Sequence, residues 1–465
     1  MAEGFDVAII GAGPAGLFTA LKLIEEGGFE VMILDKGPDV EQRRCPARET
    51  GRCAYCGICS LLSGWGGAGA FSDGKLTFSP DVGGWLSGLL DKEVLLRLME
   101  RVDEVYLRFG APKKLYGEDE DLVADLAKRA ARAGLKLVPQ KVRHMGTDGC
   151  LRVLKAMRDH LGRRIEVRMM TEVSDVLVEG GKVRGLRTKD GEEIRARYVV
   201  LAPGRSGAEW LGKVAARLGI KTEANPVDIG LRVEIPFVVM EELTDALYEP
   251  KLVYYSRRFD DKVRTFCVAP HGYVMTEYYE GVITVNGQSF SDRALWTENT
   301  NFAILVSAPF TEPFKDPIAY GKHIAALTNL ISGGVLVQRL GDLLKGRRST
   351  PERIRRSVVE PTLPSATPGD LGFVLPHRFL TDILEMLKAL DALAPGIYGR
   401  HTLLYGAEVK FYSLRLEVNE HLETPIRGLF AAGDGAGLTR GLVQASMSGL
   451  LVAEEIARRE VQRQP

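Results

Sequence analysis

Four cysteines stand within fifteen residues: Cys45, followed by Pro46, then Cys53, Cys56 and Cys59 at CxxCxxC spacing. Sulfurs at that spacing converge on one side of a tight turn, which suits one tetrahedral zinc or one face of an iron–sulfur cluster. The same sulfurs suit a redox disulfide, and reduced thiols lining a packed loop are the third reading. A second set of residues works by leaving room. Gly11, Gly13 and Gly16 follow an apolar run at 5–10 and open a helical pattern at 17–26, and Asp35 ends the next apolar run, 31–34. This is the dinucleotide fingerprint in its strand–turn–helix context. Gly11 permits the tight turn, Gly13 lets backbone approach a pyrophosphate, and Gly16 lets helix and strand pack closely. The pyrophosphate would sit on the helix N-terminus, where unbonded N–H groups favour an anion.

Two further segments tell which dinucleotide is expected. Residues 429–432 read as a strand ending in Gly433-Asp434 and a glycine-rich turn, with a helix from about 442 to 459. Residues 198–201 read as a buried strand ending in Ala202-Pro203-Gly204. The three segments, in this order, resemble the FAD-binding signature of GR2-type, Rossmann flavoproteins of the glutathione-reductase-like superfamily. The resemblance implies FAD, with Asp434 on the ribityl chain and 198–204 passing close to the cofactor. The expected cofactor set is Gly11, Gly13, Pro14, Ala15, Gly16, Asp35, Lys36, Gly67, Val173, Ala202, Gly204, Gly433, Asp434, Gly441, Leu442 and Val443. Asp35 departs from the glutamate usual there and reaches one methylene less far.

The elements that must position these residues define an α/β chain. A Rossmann-like FAD-binding domain, discontinuous and carrying an inserted β-meander at 173–196, is expected over 1–228 and again over 351–465. An α+β cap or substrate domain on an antiparallel sheet is expected over 229–350, from short β-branched and aromatic runs at 253–256, 263–268, 273–279 and 282–286. Two helices are predicted within 92–134 and one over 151–161 capped by Thr147-Asp148-Gly149. Another is predicted over 317–344.

The cysteine loop runs into Gly64-Trp65-Gly66-Gly67-Ala68-Gly69-Ala70-Phe71-Ser72-Asp73-Gly74-Lys75-Leu76. With Arg264-Thr265-Phe266-Cys267, Val285-Asn286-Gly287, and the stretches 405–411 and 433–441, it resembles a family of bacterial and archaeal FAD-dependent dehydrogenases. The superfamily's disulfide reductases carry their reactive pair in the same part of the chain as the cysteine loop, but their CxxxxC spacing is absent. The resemblance leaves the substrate open.

Flavin supplies hydride chemistry while protein supplies orientation, electrostatics and proton transfer. Helix N–H groups at Gly441, Leu442 and Val443 would stabilise negative charge on a reduced flavin. Lys75 would place a cation near the ring, Cys267 would face it from the cap, and His271 is the favoured acid–base group among His144, His271 and His401. Lys75 reads equally as a turn lysine and Cys267 as a small core side chain. The expected function is an FAD-dependent oxidoreductase moving a hydride between a small organic substrate and flavin N5, with electrons relayed through the cysteine loop if it holds a cluster. Its rivals are a flavin-dependent reductase of isoprenoid double bonds and a redox- or metal-sensing flavoprotein without turnover.

The 465 residues carry 61 Lys and Arg against 61 Asp and Glu, so no basic field points to nucleic acid, which argues against an RNA-modifying reading. No apolar run is long enough to span a membrane, and the first strand begins almost at once, so a cytoplasmic location is expected. The stretch 64–69 fits GxGxxG but follows no strand. No separate NAD(P)H domain is therefore expected, and the electron partner is a ferredoxin, a quinone, oxygen or transiently bound NAD(P)H.

Overall fold

The computed structural model describes residues 4–46, 54, 56–279, 281–307 and 316–462, and the chain divides into two units. The first comprises Met1–Lys113, Thr147–Asn225 and Tyr412–Pro465; the second comprises Lys114–Gly146 and Pro226–Phe411.

The first unit is built on a parallel sheet in the order Glu166–Arg168, Val31–Leu34, Phe5–Ile10, Glu193–Leu201, Leu429–Ala431. Its central strands read as unbroken apolar runs because both faces are covered. Glu193–Leu201 also pairs antiparallel, through its first residues, with Lys182–Thr188, which in turn pairs with Val173–Glu179. One strand thus joins the antiparallel run to the parallel sheet. The first helix, Pro14–Glu26, starts with proline at a position where no amide is needed. It crosses the last helix, Leu442–Val461, at Gly449, where a Cβ would overlap Ala15 O and where Thr19 Oγ1 donates to Gly449 O at 3.1 Å. The helix expected to begin at 151 begins at Gly146, so Thr147-Asp148-Gly149 form its first turn. The Thr147 hydroxyl is committed instead to Ser72 O at 2.9 Å.

The second unit holds an eight-stranded sheet in the order Thr367–Pro368, Leu336–Arg339, Leu403–Lys410, Asp228–Pro236, Asn299–Ser307, Lys262–Ala269, Leu252–Tyr255, Lys136–Leu137. All pairs but the first are antiparallel. Among the described residues the strands Tyr273–Tyr279 and Val282–Gln288 form a two-stranded sheet of their own. Two boundaries differ from expectation. The helix begun at Pro317 stops at Ser332, where Gly333 takes φ 72°, and the next apolar run is the strand Leu336–Arg339. The chain leaves the second unit at 411, not 350. Leu403–Lys410 lies in the middle of its sheet, and the helix His377–Leu393 packs its apolar side into the same core. Residues 114–146, with the helix Glu120–Arg132, also fall in this unit and not in the first.

Period-two alternation sorts Asp228–Pro236 into two faces. Ile229, Leu231, Val233 and Ile235 enter the core with Phe302, Ile304 and Val306. The other face carries Asp228, Arg232 and Glu234, and it is buried as well.

Beneath the helix His377–Leu393, the fully buried Asp382 meets Asp261, which Arg378 holds through two hydrogen bonds of 2.5 and 2.7 Å. Burial, with Asp261 beside it, pushes the Asp382 carboxyl up to about 6. The folded carboxyl therefore holds its proton more tightly than the unfolded one. Its stabilising contribution is complete below about pH 4 and is lost as pH rises through about 6. Asp382→Asn is expected to melt higher than wild type at pH 8, the advantage closing below about pH 4. A melting difference that does not vary with pH would count against this.

Candidate functional site

Four parallel strands of the first unit end side by side, with Leu34 opposite Ile10, Ile10 opposite Leu201, and Leu201 opposite Ala431. Ligands of open α/β sheets bind just beyond such strand ends. The chain leaves each end through a glycine-bearing turn or a carboxylate. After the first strand, Gly11 takes φ 108°, and a Cβ there would overlap Ala202 O. A Cβ on Gly16 would overlap Gly11 O. Gly13 differs from both: its φ is −80°, and a Cβ would meet nothing nearer than Gly67 Cα at 3.9 Å. Gly204 and Gly441 have nothing within 4 Å of a Cβ. These three glycines leave a cradle open around the strand ends.

Two carboxylates face that cradle. Asp35 Oδ2 accepts from Ala12 N at 2.9 Å, and Oδ1 from Gly37 N and Gly64 N, both at 2.8 Å. Three backbone donors fix its orientation and leave lone pairs on Oδ2. Asp434 accepts from Thr439 Oγ1 at 2.7 Å and Gly441 N at 3.3 Å. Burial pushes the Asp434 carboxyl up, against the pull of Arg205. The Gly441 amide is thus already engaged, while Leu442 and Val443 open the last helix, where first-turn N–H groups lack partners within the helix. Gly433 N donates to Ser448 Oγ at 3.0 Å. A Cβ on Gly435 would overlap Gly204 O, so the turn 202–204 touches both Gly11 and Gly435.

The loop 63–71 closes over the fingerprint turn. Gly66 N donates to Ala12 O at 2.7 Å, Gly67 stands against Gly13, and a Cβ on Gly69 would press on Leu442. Arg43 holds this loop in place. Its nearly buried guanidinium donates to Ser60 O, Leu61 O, Trp65 O and Gly67 O at 2.6–3.0 Å. Burial lowers it to about 10, with Asp35 and Cys59 opposing. Sequence reasoning missed Arg43, because four backbone carbonyls leave no pattern of side-chain types. Lys36 Nζ donates to Ser206 O at 2.9 Å. Lys75 is no exposed turn lysine: it pairs with Asp73 at 2.7 Å, and both side chains are nearly buried. Pro14 and Ala15 form the first turn of the first helix. Val173 begins its strand two residues after Thr171, whose amide donates to Asp35 O at 2.9 Å.

Among the described residues Cys45, Cys56 and Cys59 form no disulfide, and Cys53 lies outside the described residues. Among the described residues no group of three or more His, Cys, Asp or Glu is arranged to hold a metal.

Cys267 and His271 lie in the second unit. The His271 ring is stacked between Phe237 and Trp296, with centroids at 3.6 and 4.2 Å, and Nδ1 lies 2.8 Å from Thr297 O. That geometry gives it a packing role and fixes the proton on Nδ1. His144 stacks on Tyr248, with Nε2 3.1 Å from Ser289 Oγ. Burial and the neighbouring Arg400 lower His401. No described helix is long and apolar enough to cross a membrane.

Comparison with known proteins agrees with the strand-end geometry. A family model described as FAD binding domain matches residues 6–43, and one described as FAD-dependent protein, C-terminal domain-like matches residues 229–411. With the site above, these matches mark the chain as an FAD-dependent protein. An uncharacterized protein of Clostridium beijerinckii is 27% identical over 474 residues, covering 96% of this chain and 80% of that one. Among solved structures, L-proline dehydrogenase from P. horikoshii aligns with a TM-score of 0.41 at 14% identity, covering 99% of this chain and 95% of that one. Glycine oxidase from Geobacillus kaustophilus aligns with a TM-score of 0.40 at 16% identity, covering 98% and 95%. Neither likeness bears on the substrate.

Proposed function

We propose that the chain is a GR2-type dehydrogenase or reductase that moves a hydride between a small organic substrate and FAD held at the strand ends of the first unit. The observation that carries this reading is the cradle itself: four strand ends in register, three glycines open to it, and one carboxylate at each side. Bound flavin supplies hydride transfer at N5. Asp35 would accept from the adenosine ribose, and the amides of Ala15 and Gly16 would face the pyrophosphate. Asp434 would accept from the ribityl hydroxyls, and Leu442 and Val443 would offer N–H groups to the ring. The Lys75–Asp73 pair, nearly shut off from water, would hold a proton beside that ring.

The test is one sample, purified without oxygen, with its flavin extracted and its iron, sulfide and zinc measured. About one FAD per chain is expected. Asp434→Ala is expected to weaken FAD retention about 10- to 100-fold, the effect of removing a charged hydrogen-bond acceptor. Unchanged retention would refute the assignment of Asp434, and FMN or no flavin would refute the reading. Iron and sulfide near four per chain would assign Cys45, Cys53, Cys56 and Cys59 to a cluster relaying electrons to a carrier, and zinc would assign them to a structural metal. Neither would leave them as thiols.

A further inference from the structure

In the first unit the turn 437–441, which leads into the last helix, is held between two other segments. On one side stand Gly83 and Gly84, at φ 115° and 123°. A Cβ on Gly84 would overlap Leu438 O, and one on Gly83 would overlap the Gln444 side chain. Arg440 N donates to Gly83 O at 2.6 Å, Trp85 N to Leu438 O at 2.8 Å, and Gln444 Nε2 to Val82 O at 3.0 Å. On the other side, a Cβ on Gly437 would overlap Leu414 O. Asn225 joins all three segments. Its Oδ1 accepts from Trp85 Nε1 at 2.8 Å, and its Nδ2 donates to Ser413 O and Gly437 O at 2.7 and 3.2 Å. This packing fixes the backbone that carries Arg440.

Two arginines lie on aromatic rings along these segments, and they differ in one respect. The Arg415 guanidinium stands 4.4 Å from the centre of the Trp85 ring and pairs with Glu223. The Arg440 guanidinium stands 3.5 Å from the centre of the Tyr412 ring, and among the described residues it makes no hydrogen bond and no ion pair. Stacking occupies the face of a guanidinium and leaves the N–H donors at its edge available. Arg440 is half-buried, so those donors are partly withdrawn from water. Its neighbours place it in the cradle. Thr439 Oγ1 and Gly441 N both donate to Asp434, at 2.7 and 3.3 Å, and the last helix begins at Leu442. Two buried atoms on the same segments, Ser413 Oγ and Gln444 Oε1, are also without hydrogen-bond partners among the described residues. Buried polar atoms are seldom left so in a native fold, and several together mark a place for a polar ligand.

We propose that Arg440 sets the substrate class: its free edge binds the carboxylate of a small organic acid at the flavin-ring end of the cradle. This rests on the reading that FAD lies at these strand ends. A planar guanidinium meets a carboxylate through two parallel N–H···O bonds, which fixes direction as well as charge. Charge also decides between oxyanions. One unpaired cation balances one negative charge, whereas a phosphate monoester carries about 1.5 to 2 at pH 7. Arg415 has the same stacked form but spends its charge on Glu223, so it offers no second anchor. Arg440 therefore binds and orients: holding the acid group determines which carbon of the substrate is presented to the ring.

The test titrates the full-length, FAD-loaded protein with acetate and benzoate, with acetamide and benzamide, and with inorganic phosphate. Binding is read from the flavin absorbance band and by calorimetry. At least one carboxylate is expected to bind more than about tenfold tighter than its own amide and than phosphate, the discrimination of a charge-assisted pair. Arg440→Met should weaken that carboxylate about 10- to 100-fold, and Arg440→Lys, which keeps the charge without the fork, should recover only part. FAD retention should stay within about twofold of wild type in both variants, unlike Asp434→Ala. Should Arg440→Met fail to fold, Tyr412→Leu is read instead: it keeps the cation, removes the ring beneath it, and should weaken carboxylate binding about two- to fivefold. Loss of FAD with Arg440 would assign the arginine to the cofactor and overturn the proposal. Carboxylates bound no better than their amides, or phosphate bound better than both, would overturn it too. A protein without flavin would refute the proposed function, whereas full flavin content with carboxylates ignored would refute this inference alone.

Discussion

Arg232→Met should destabilise the chain by about 3–5 kcal/mol, the usual loss when one partner of a buried ion pair is removed. The arginine is fully buried, and each nitrogen of its guanidinium donates: Nε to Asn301 Oδ1 at 3.1 Å and both Nη to Cys267 O, with its charge 3.6 Å from Glu408. Methionine matches much of the volume but restores none of these. It leaves Glu408 with Lys410 alone among the described cations near it, and it removes both Nη donors to Cys267 O. Arg232→Met/Glu408→Leu should recover part of the loss, because the uncompensated charge goes with its partner. Denaturant unfolding of the full chain measures both. An Arg232→Met loss below about 1 kcal/mol would mean that the buried layer relaxes or takes in water.

The fingerprint glycines should separate folding from cofactor binding. Gly11→Ala combines left-handed strain of about 1–2 kcal/mol with overlap on Ala202 O, for which overpacking adds about 1–3 kcal/mol. It should lose stability and flavin together. Gly13→Ala meets no such obstacle: its backbone angle is ordinary and its Cβ points into the cradle. It should fold with stability within about 0.5 kcal/mol of wild type and still lose flavin occupancy at least about 100-fold, because the methyl group stands where the pyrophosphate must approach. Absorbance at the flavin band, normalised to protein, reads one effect, and thermal melting of flavin-free protein reads the other. A yellow Gly13→Ala protein would refute the cradle.

What could be read beforehand was the chemistry that depends on neighbours in sequence. Gly11, Gly13 and Gly16 sit on one turn, and Asp434 follows one strand, so spacing alone exposes them. Glu408 and Lys410 were in view as two residues of one motif, yet their burial was not. Alternation in Asp228–Pro236 has the form of a strand with one wet face, and only the tertiary packing makes that face dry. The misplaced boundary at 350 has a related cause. Strand order in a sheet is not chain order, so a central strand, Leu403–Lys410, arrives after the helix that covers it. The run 336–339 is four apolar-rich residues, too short for periodicity to tell strand from helix.

The way the two units share the chain has a consequence during synthesis. The second unit is complete once residue 411 has emerged, whereas the first still lacks the strand Leu429–Ala431 and the helix Leu442–Val461. Translation therefore delivers the unit begun second before the unit begun first. The segment bearing Asp434, Leu442 and Val443 emerges after the second unit is complete, so the nascent chain has to keep the apolar edge of Glu193–Leu201 covered until then. The strand ends of the first unit are therefore complete only after Leu429–Ala431 and Leu442–Val461 have followed the second unit out.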